Sequence, residues 1–142
     1  MKAGAIQAVI GTAVLGAVVL APPAEAAGTG AQTVAASCTA GLFRGTVSVT
    51  YQLAGPTEYH PSIATIGGGP YIGDSATFVL DVAYADAGTT TSVYRGTYTG
   101  TAGTKLSVRL PDDVKVPQDA PSYASVAFDG GESPCTAKAE IR

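Results

Sequence analysis

The feature that most constrains this chain is a two-residue alternation of apolar and polar side chains, repeated in run after run. Val47, Val49, Tyr51 and Leu53 fall on one face, with Ser48, Thr50 and Gln52 on the other. Phe78, Leu80, Val82 and Tyr84 alternate with Thr77, Val79, Asp81 and Ala83. Leu106, Val108 and Leu110 alternate with Ser107 and Arg109, and Ala124, Val126 and Phe128 with Tyr123, Ser125 and Ala127. The last run is the cleanest: Ala137, Ala139 and Ile141 against Thr136, Lys138, Glu140 and Arg142. Successive side chains of a strand point to opposite faces, so each run reads as a half-buried β-strand. Thr89–Thr99 alternates less clearly, but its Thr, Val and Tyr content favours a strand. Between the runs lie Asp86-Ala87-Gly88, Gly100-Thr101-Ala102-Gly103 and Asp129-Gly130-Gly131-Glu132, with Gly able to take the positive φ of a tight reversal. No segment carries the 3.6-residue period of an amphipathic helix. The pattern predicts an all-β chain of about seven or eight strands folded as an antiparallel β-sandwich.

The first residues follow a different logic. Met1-Lys2 is a short positive start, Ala3–Leu20 is apolar, Pro22-Pro23 ends any helix, and Ala24-Glu25-Ala26 has the small-x-small form that signal peptidase reads. Residues 1–26 are therefore expected to be a helical secretory signal peptide, with 27–33 a flexible start and 34–142 the sandwich domain. Part of the 46% hydrophobic content belongs to the leader. Once the leader is removed no segment remains to span a membrane, and the protein is expected outside the cell.

An oxidising compartment makes the two cysteines a pair. Cys135 extends the inward parity of Ala137 and Ile141, and Cys38 shares a parity with Val34 and Ala36. Their bridge would staple the first strand to the last. Closing a loop of roughly 100 residues is worth about 4–5 kcal/mol in the chain-entropy account. One local stretch, Asp119-Ala120-Pro121-Ser122-Tyr123, resembles the tyrosine corner of immunoglobulin-type sandwiches, and Ser125 stands where those domains carry their second Cys. The resemblance covers five residues and implies an immunoglobulin-like sandwich.

Few chemistries can be assembled from the remainder. The formal net charge is −3, which argues against nucleic acid or an anionic membrane as partner. His60 is the one histidine, in Glu58-Tyr59-His60-Pro61, and reads as an exposed loop residue. No G-x-S-x-G accompanies it, so a Ser-His-Asp hydrolase has no marked nucleophile. Asp112-Asp113 and Asp129/Glu132 read as turn and solvation residues, neither a glycosidase pair nor a calcium loop. No cofactor or metal site is expected, and no catalysis. Tyr94 and Tyr98 share a parity and could form a small aromatic strip.

Segment 54–75 holds prolines, Gly67-Gly68-Gly69 and two tyrosines, with Ile63–Ile66 as a short strand. Loops on a rigid sandwich often carry recognition. Tyr59, His60, Tyr71 and Ile72 are its candidate binding residues, against a plain crossover that covers the core. The resulting expectation is a small secreted, non-enzymatic binding or structural protein that meets an extracellular protein or envelope component. A secreted protease inhibitor or a carbohydrate-binding module is the alternative. N-terminal sequencing of the exported protein is expected to begin at Ala27; a chain beginning at Met1 would refute the cleaved leader.

Overall fold

The alternating runs form nine strands, seen in a computed structural model that describes residues 30–71, 75–101, 105–130 and 133–142. In chain order they are β1 (Gln32–Ala40), β2 (Phe43–Leu53), β3 (Glu58–Gly69), β4 (Ser75–Asp86), β5 (Thr89–Thr101), β6 (Lys105–Arg109), β7 (Val116–Pro117), β8 (Ser122–Asp129) and β9 (Cys135–Ile141). There is no helix among the described residues. The expected leader lies outside them, as do residues 27–29 of the expected flexible start; β1 already begins at Gln32.

All pairings are antiparallel. One sheet runs β1-β2-β3-β6, with the two-residue β7 also on β3, and the other runs β9-β8-β4-β5. The chain makes the hairpins β1–β2 and β2–β3 within the first sheet and crosses to make β4–β5 in the second. It returns for β6 and β7, and crosses again for β8–β9. The β4–β5 reversal is a two-residue turn, Ala87-Gly88, closed by the Asp86–Thr89 pair. Both turn residues have positive φ, 49° and 82°, the geometry whose twist suits a hairpin.

The inner faces match the alternation. Val47, Val49 and Tyr51 of β2, Phe78, Leu80 and Val82 of β4, Ala124, Val126 and Phe128 of β8, and Ala137, Ala139 and Ile141 of β9 are all buried. Leu53 departs from it and is 55% exposed. β1 pairs with β2 only as far as Tyr51, so beyond that point β2 outruns its neighbour and has no core beneath it. Tyr84 is half-buried near the far end of β4.

Rings fill one end of the core. Phe128 lies 5.5 Å from Phe43 and 5.4 Å from Phe78 between ring centroids, in the tilted geometries that aromatic pairs prefer. These rings fit only because glycines lie against them. A Cβ on Gly45 would sit 2.4 Å from the Phe128 ring, and one on Gly100 2.3 Å from the Phe78 ring.

Two ties hold β9 to the first sheet, one at each end. At its start, Cys135 bonds Cys38 of β1, with Cα atoms 5.9 Å apart. Just past its end, the Tyr51 hydroxyl donates to the Arg142 carbonyl and accepts from the Arg142 N–H at 3.2 Å. β1 and β9 therefore run side by side and close that flank of the sandwich. β5 and β6, on the other flank, make no comparable contact. Replacing both cysteines (Cys38→Ala with Cys135→Ala) is expected to cost about 4 kcal/mol in urea unfolding. Tyr51→Phe is expected to cost about 1–2 kcal/mol in the same assay, because both Arg142 main-chain groups lose a partner.

Candidate functional site

Segment 54–75 is mostly strand. Glu58–Gly69 forms the 12-residue β3, in place of the short strand and long loop that its Pro and Gly content predicts. Pro61 is buried beside an irregularity in the β2–β3 register, where it opposes Tyr51 and Ser62 has no opposite number; a bulge of this kind is where a sheet tolerates proline. Gly68 makes room for Phe43, whose ring would lie 3.2 Å from an added Cβ.

Of the four candidate binding residues, Tyr59 and His60 do not share a patch with Tyr71. Tyr59 and His60 are at the start of β3 and Tyr71 lies just past its end, separated by about 35 Å of extended chain. Ile72 lies outside the described residues. The Tyr59 ring meets the Tyr51 ring edge-on at 5.1 Å. Tyr71 packs against Phe43 and Phe78 at 5.9 and 6.3 Å, and burial raises the pKa of its phenol. His60, expected on an exposed loop, is a half-buried strand residue whose Nδ1–H donates to the Val114 carbonyl at 2.8 Å. Its imidazole holds the β6–β7 connection to β3.

The carboxylates also take local roles. Asp112 and Asp113 sit in an exposed turn closed by Val114 N–H to Pro111 O at 3.1 Å, and Asp129 ends β8. Glu132 lies outside the described residues. Among those residues no three His, Cys, Asp or Glu side chains come together as a metal site would need.

The outward face of the five-stranded sheet is different, and reading it requires the strand register. Thr33 and Thr50 form one cross-strand row; Ala35, Ser48, Thr65 and Ser107 form the next; Ser37, Thr46, Gly67 and Lys105 form a third. Their hydroxyls interact across strands, Thr33 with Thr50 at 3.0 Å and Thr65 with Ser107 at 3.5 Å, while Thr46 donates to the Gly67 carbonyl at 3.2 Å. Arg44, Lys105 and Arg109 stand exposed around these rows, and no carboxylate occurs within them. Strand spacing sets the hydroxyls about 4.8 Å apart along a row, with about 6.8 Å between rows.

The four-stranded sheet faces outward with charges already matched. Asp81 accepts from Ser92 at 2.5 Å and from Arg95 at 3.1 Å. Arg142 grips Glu140 at 2.7 Å and holds its carboxyl below the usual range. Lys138 lies 4.1 Å over the Tyr123 ring, a cation–π contact. Tyr123 is thus an outward, half-buried residue lining a groove of about 730 Å³ together with Gln118, Asp119, Pro121, Lys138 and Arg142.

On the open flank, Tyr94 and Tyr98 of β5 lie half-buried against the core with their hydroxyls hydrogen-bonded to each other. The Tyr98 ring lies over Gly96, where an added Cβ would come within 2.7 Å of its hydroxyl. Comparison with protein-family models, curated proteins and solved structures finds no match for this chain.

The Tyr98 phenol is pushed up to about 12 from 10.0, first by burial and then by the Tyr94 hydrogen bond and charge. The folded protein therefore keeps a proton that the unfolded chain releases, and this contribution is complete below pH 10 and lost as pH rises towards 12. Tyr98→Phe is expected to flatten the fall in stability over that interval, as measured by urea unfolding at each pH.

Proposed function

We propose that this chain is an exported, non-catalytic binding or structural domain whose working surface is the outward face of the five-stranded sheet. Its partner is an extracellular protein or a component of the cell envelope. The observation that carries the reading is the set of hydroxyl rows at Thr33–Thr50, Ser48–Thr65–Ser107 and Ser37–Thr46, bordered by cations that no carboxylate of those rows neutralises. Each hydroxyl both donates and accepts, so a polar partner can be met from either side of the hydrogen bond. The rows sit on paired strands, so little ordering entropy is lost on contact.

Export rests on the leader pattern at 1–26 and is supported by the Cys38–Cys135 bridge, which an oxidising compartment maintains. The Ala-, Gly- and Thr-rich, Asn-free composition suggests a bacterial source with a GC-rich genome. Kinship with immunoglobulin sandwiches is supported by the order β9-β8-β4-β5, which follows the succession G-F-C-C′; β3 is an added strand between β2 and β6. A carbohydrate-binding module is the second reading, favoured by the half-buried Tyr94–Tyr98 strip.

Co-sedimentation with isolated cell-envelope fragments, alongside capture of extracellular proteins, tests the surface. Ser48→Glu with Thr65→Glu is expected to weaken binding about tenfold or more, since a like-sized loss of ~1.4 kcal/mol follows from misplacing two charges in the central row. Unchanged binding by that variant, with loss instead in a Tyr94→Ser, Tyr98→Ser variant, would move the site to the open flank.

A further inference from the structure

The four-stranded sheet ends on β5, and no strand among the described residues pairs with its outer edge over Tyr94–Tyr98. Free edges are ordinarily blunted by proline, by short length, by an inward-pointing charge or by a bulge. β5 runs for 13 residues without proline. Its single charge, Arg95, is held by Asp81 at 3.1 Å on the outward face. Its one irregularity is at Val93, which has no opposite number where the register shifts beside Val82 and Ala83. From Tyr94 onwards the edge is regular, carries Arg95 as its one charge and is rich in Tyr and Thr, which favour strands.

We propose that β5 pairs edge to edge with β5 of a second copy, antiparallel about Gly96, joining two four-stranded sheets into one of eight strands. The sequence around Gly96 is nearly symmetric: Tyr94 and Tyr98 lie two residues to either side, and Arg95 and Thr97 one residue to either side. Antiparallel pairing about Gly96 sets Tyr94 opposite Tyr98 of the second copy on the half-buried face, twice over. Aromatic cross-strand pairs are among the more favourable ones. It also sets Arg95 opposite Thr97 on the outward face. Pairing about Arg95 would instead place two guanidinium groups face to face. Pairing about Thr97 would bring Tyr98 to a glycine that its own chain's Tyr98 already covers. The centre at Gly96 is the register that charge and ring packing both favour.

The registers differ in how they respond to charge at position 97, and this provides the test. Sedimentation velocity of the disulfide-bonded chain, from about 1 to 100 μM, should show a monomer–dimer equilibrium. Thr97→Lys sets like charges together twice across the interface and should raise the dissociation constant about tenfold. Thr97→Glu places a carboxylate opposite Arg95 of the other copy and should lower it by a similar factor. In the unaltered protein, amide exchange over Tyr94–Tyr98 should slow as concentration rises, a readout that needs no variant. A monomer throughout the range overturns the proposal. So does a pair of variants that shift the equilibrium in the same direction, since pairing about Thr97 would set each new charge against its own copy.

Discussion

Everything else in this sandwich depends on how β9 is tied across the flank it shares with β1. The two strands belong to different sheets, and no backbone ladder joins them. A disulfide fixes the start of β9 and the buried Tyr51 hydroxyl fixes the residue after its end. The two ties are about as far apart as β9 is long, so the strand can neither swing away from β1 nor slide along it. Its inward residues Ala137, Ala139 and Ile141 are thereby held over the core in a single register. A one-residue slip would turn them to solvent and bring Lys138 and Glu140 inward, at the cost of burying charge.

Closing one flank so firmly leaves the other to be filled by different means. The inner face of β5 carries only tyrosines and glycines from Tyr94 to Gly100, whereas the inner faces of β2, β4 and β8 carry aliphatic residues alongside their rings. No strand of the facing sheet covers β5, so an aliphatic side chain there would stay half in water. A tyrosine can lay its ring on the core and leave its hydroxyl at the rim. The alternating glycines admit the rings: Gly96 receives Tyr98, and Gly100 receives Phe78 from the neighbouring strand. The composition of β5 is thus a consequence of its position at the open flank.

Much of this was legible in the sequence, because a period of two assigns each residue to a face without any knowledge of its neighbours. The shared inward parity of Cys38 and Cys135 with their flanking residues predicts the bridge that the structure contains. The errors arose where a neighbour decides the outcome. Leu53 has the right parity but no β1 beside it. Pro61 and the Gly67–Gly69 run look like a loop until Pro61 is placed at a bulge and Gly68 beside Phe43 and Phe128. His60 looks solvated until the β6–β7 connection brings the Val114 carbonyl to it. The hydroxyl rows required register, since Ser48, Thr65 and Ser107 are far apart in sequence and become neighbours only through two separate strand pairings.

The same limit applies to charge. A net charge of −3 describes the whole chain and says nothing of any one face. The two sheets divide the signs here. Asp81, Asp86, Asp129 and Glu140 lie on strands of the four-stranded sheet, and Asp112, Asp113 and Asp119 in connections, where Asp is favoured for its hydrogen bonds to nearby backbone. Arg44, Lys105 and Arg109 sit on strands, where long side chains can lie along the sheet with their charged ends in water. Among the described carboxylates only Glu58, at the start of β3, lies on the five-stranded sheet, so the rest of its outward face is left with cations and hydroxyls. With a Debye length of about 8 Å at physiological ionic strength, charges at the ends of strands this long are screened from the middle of that face. A partner approaching the hydroxyl rows would meet the local cations rather than the acidic average, so whole-chain charge is a poor guide to what this surface can bind.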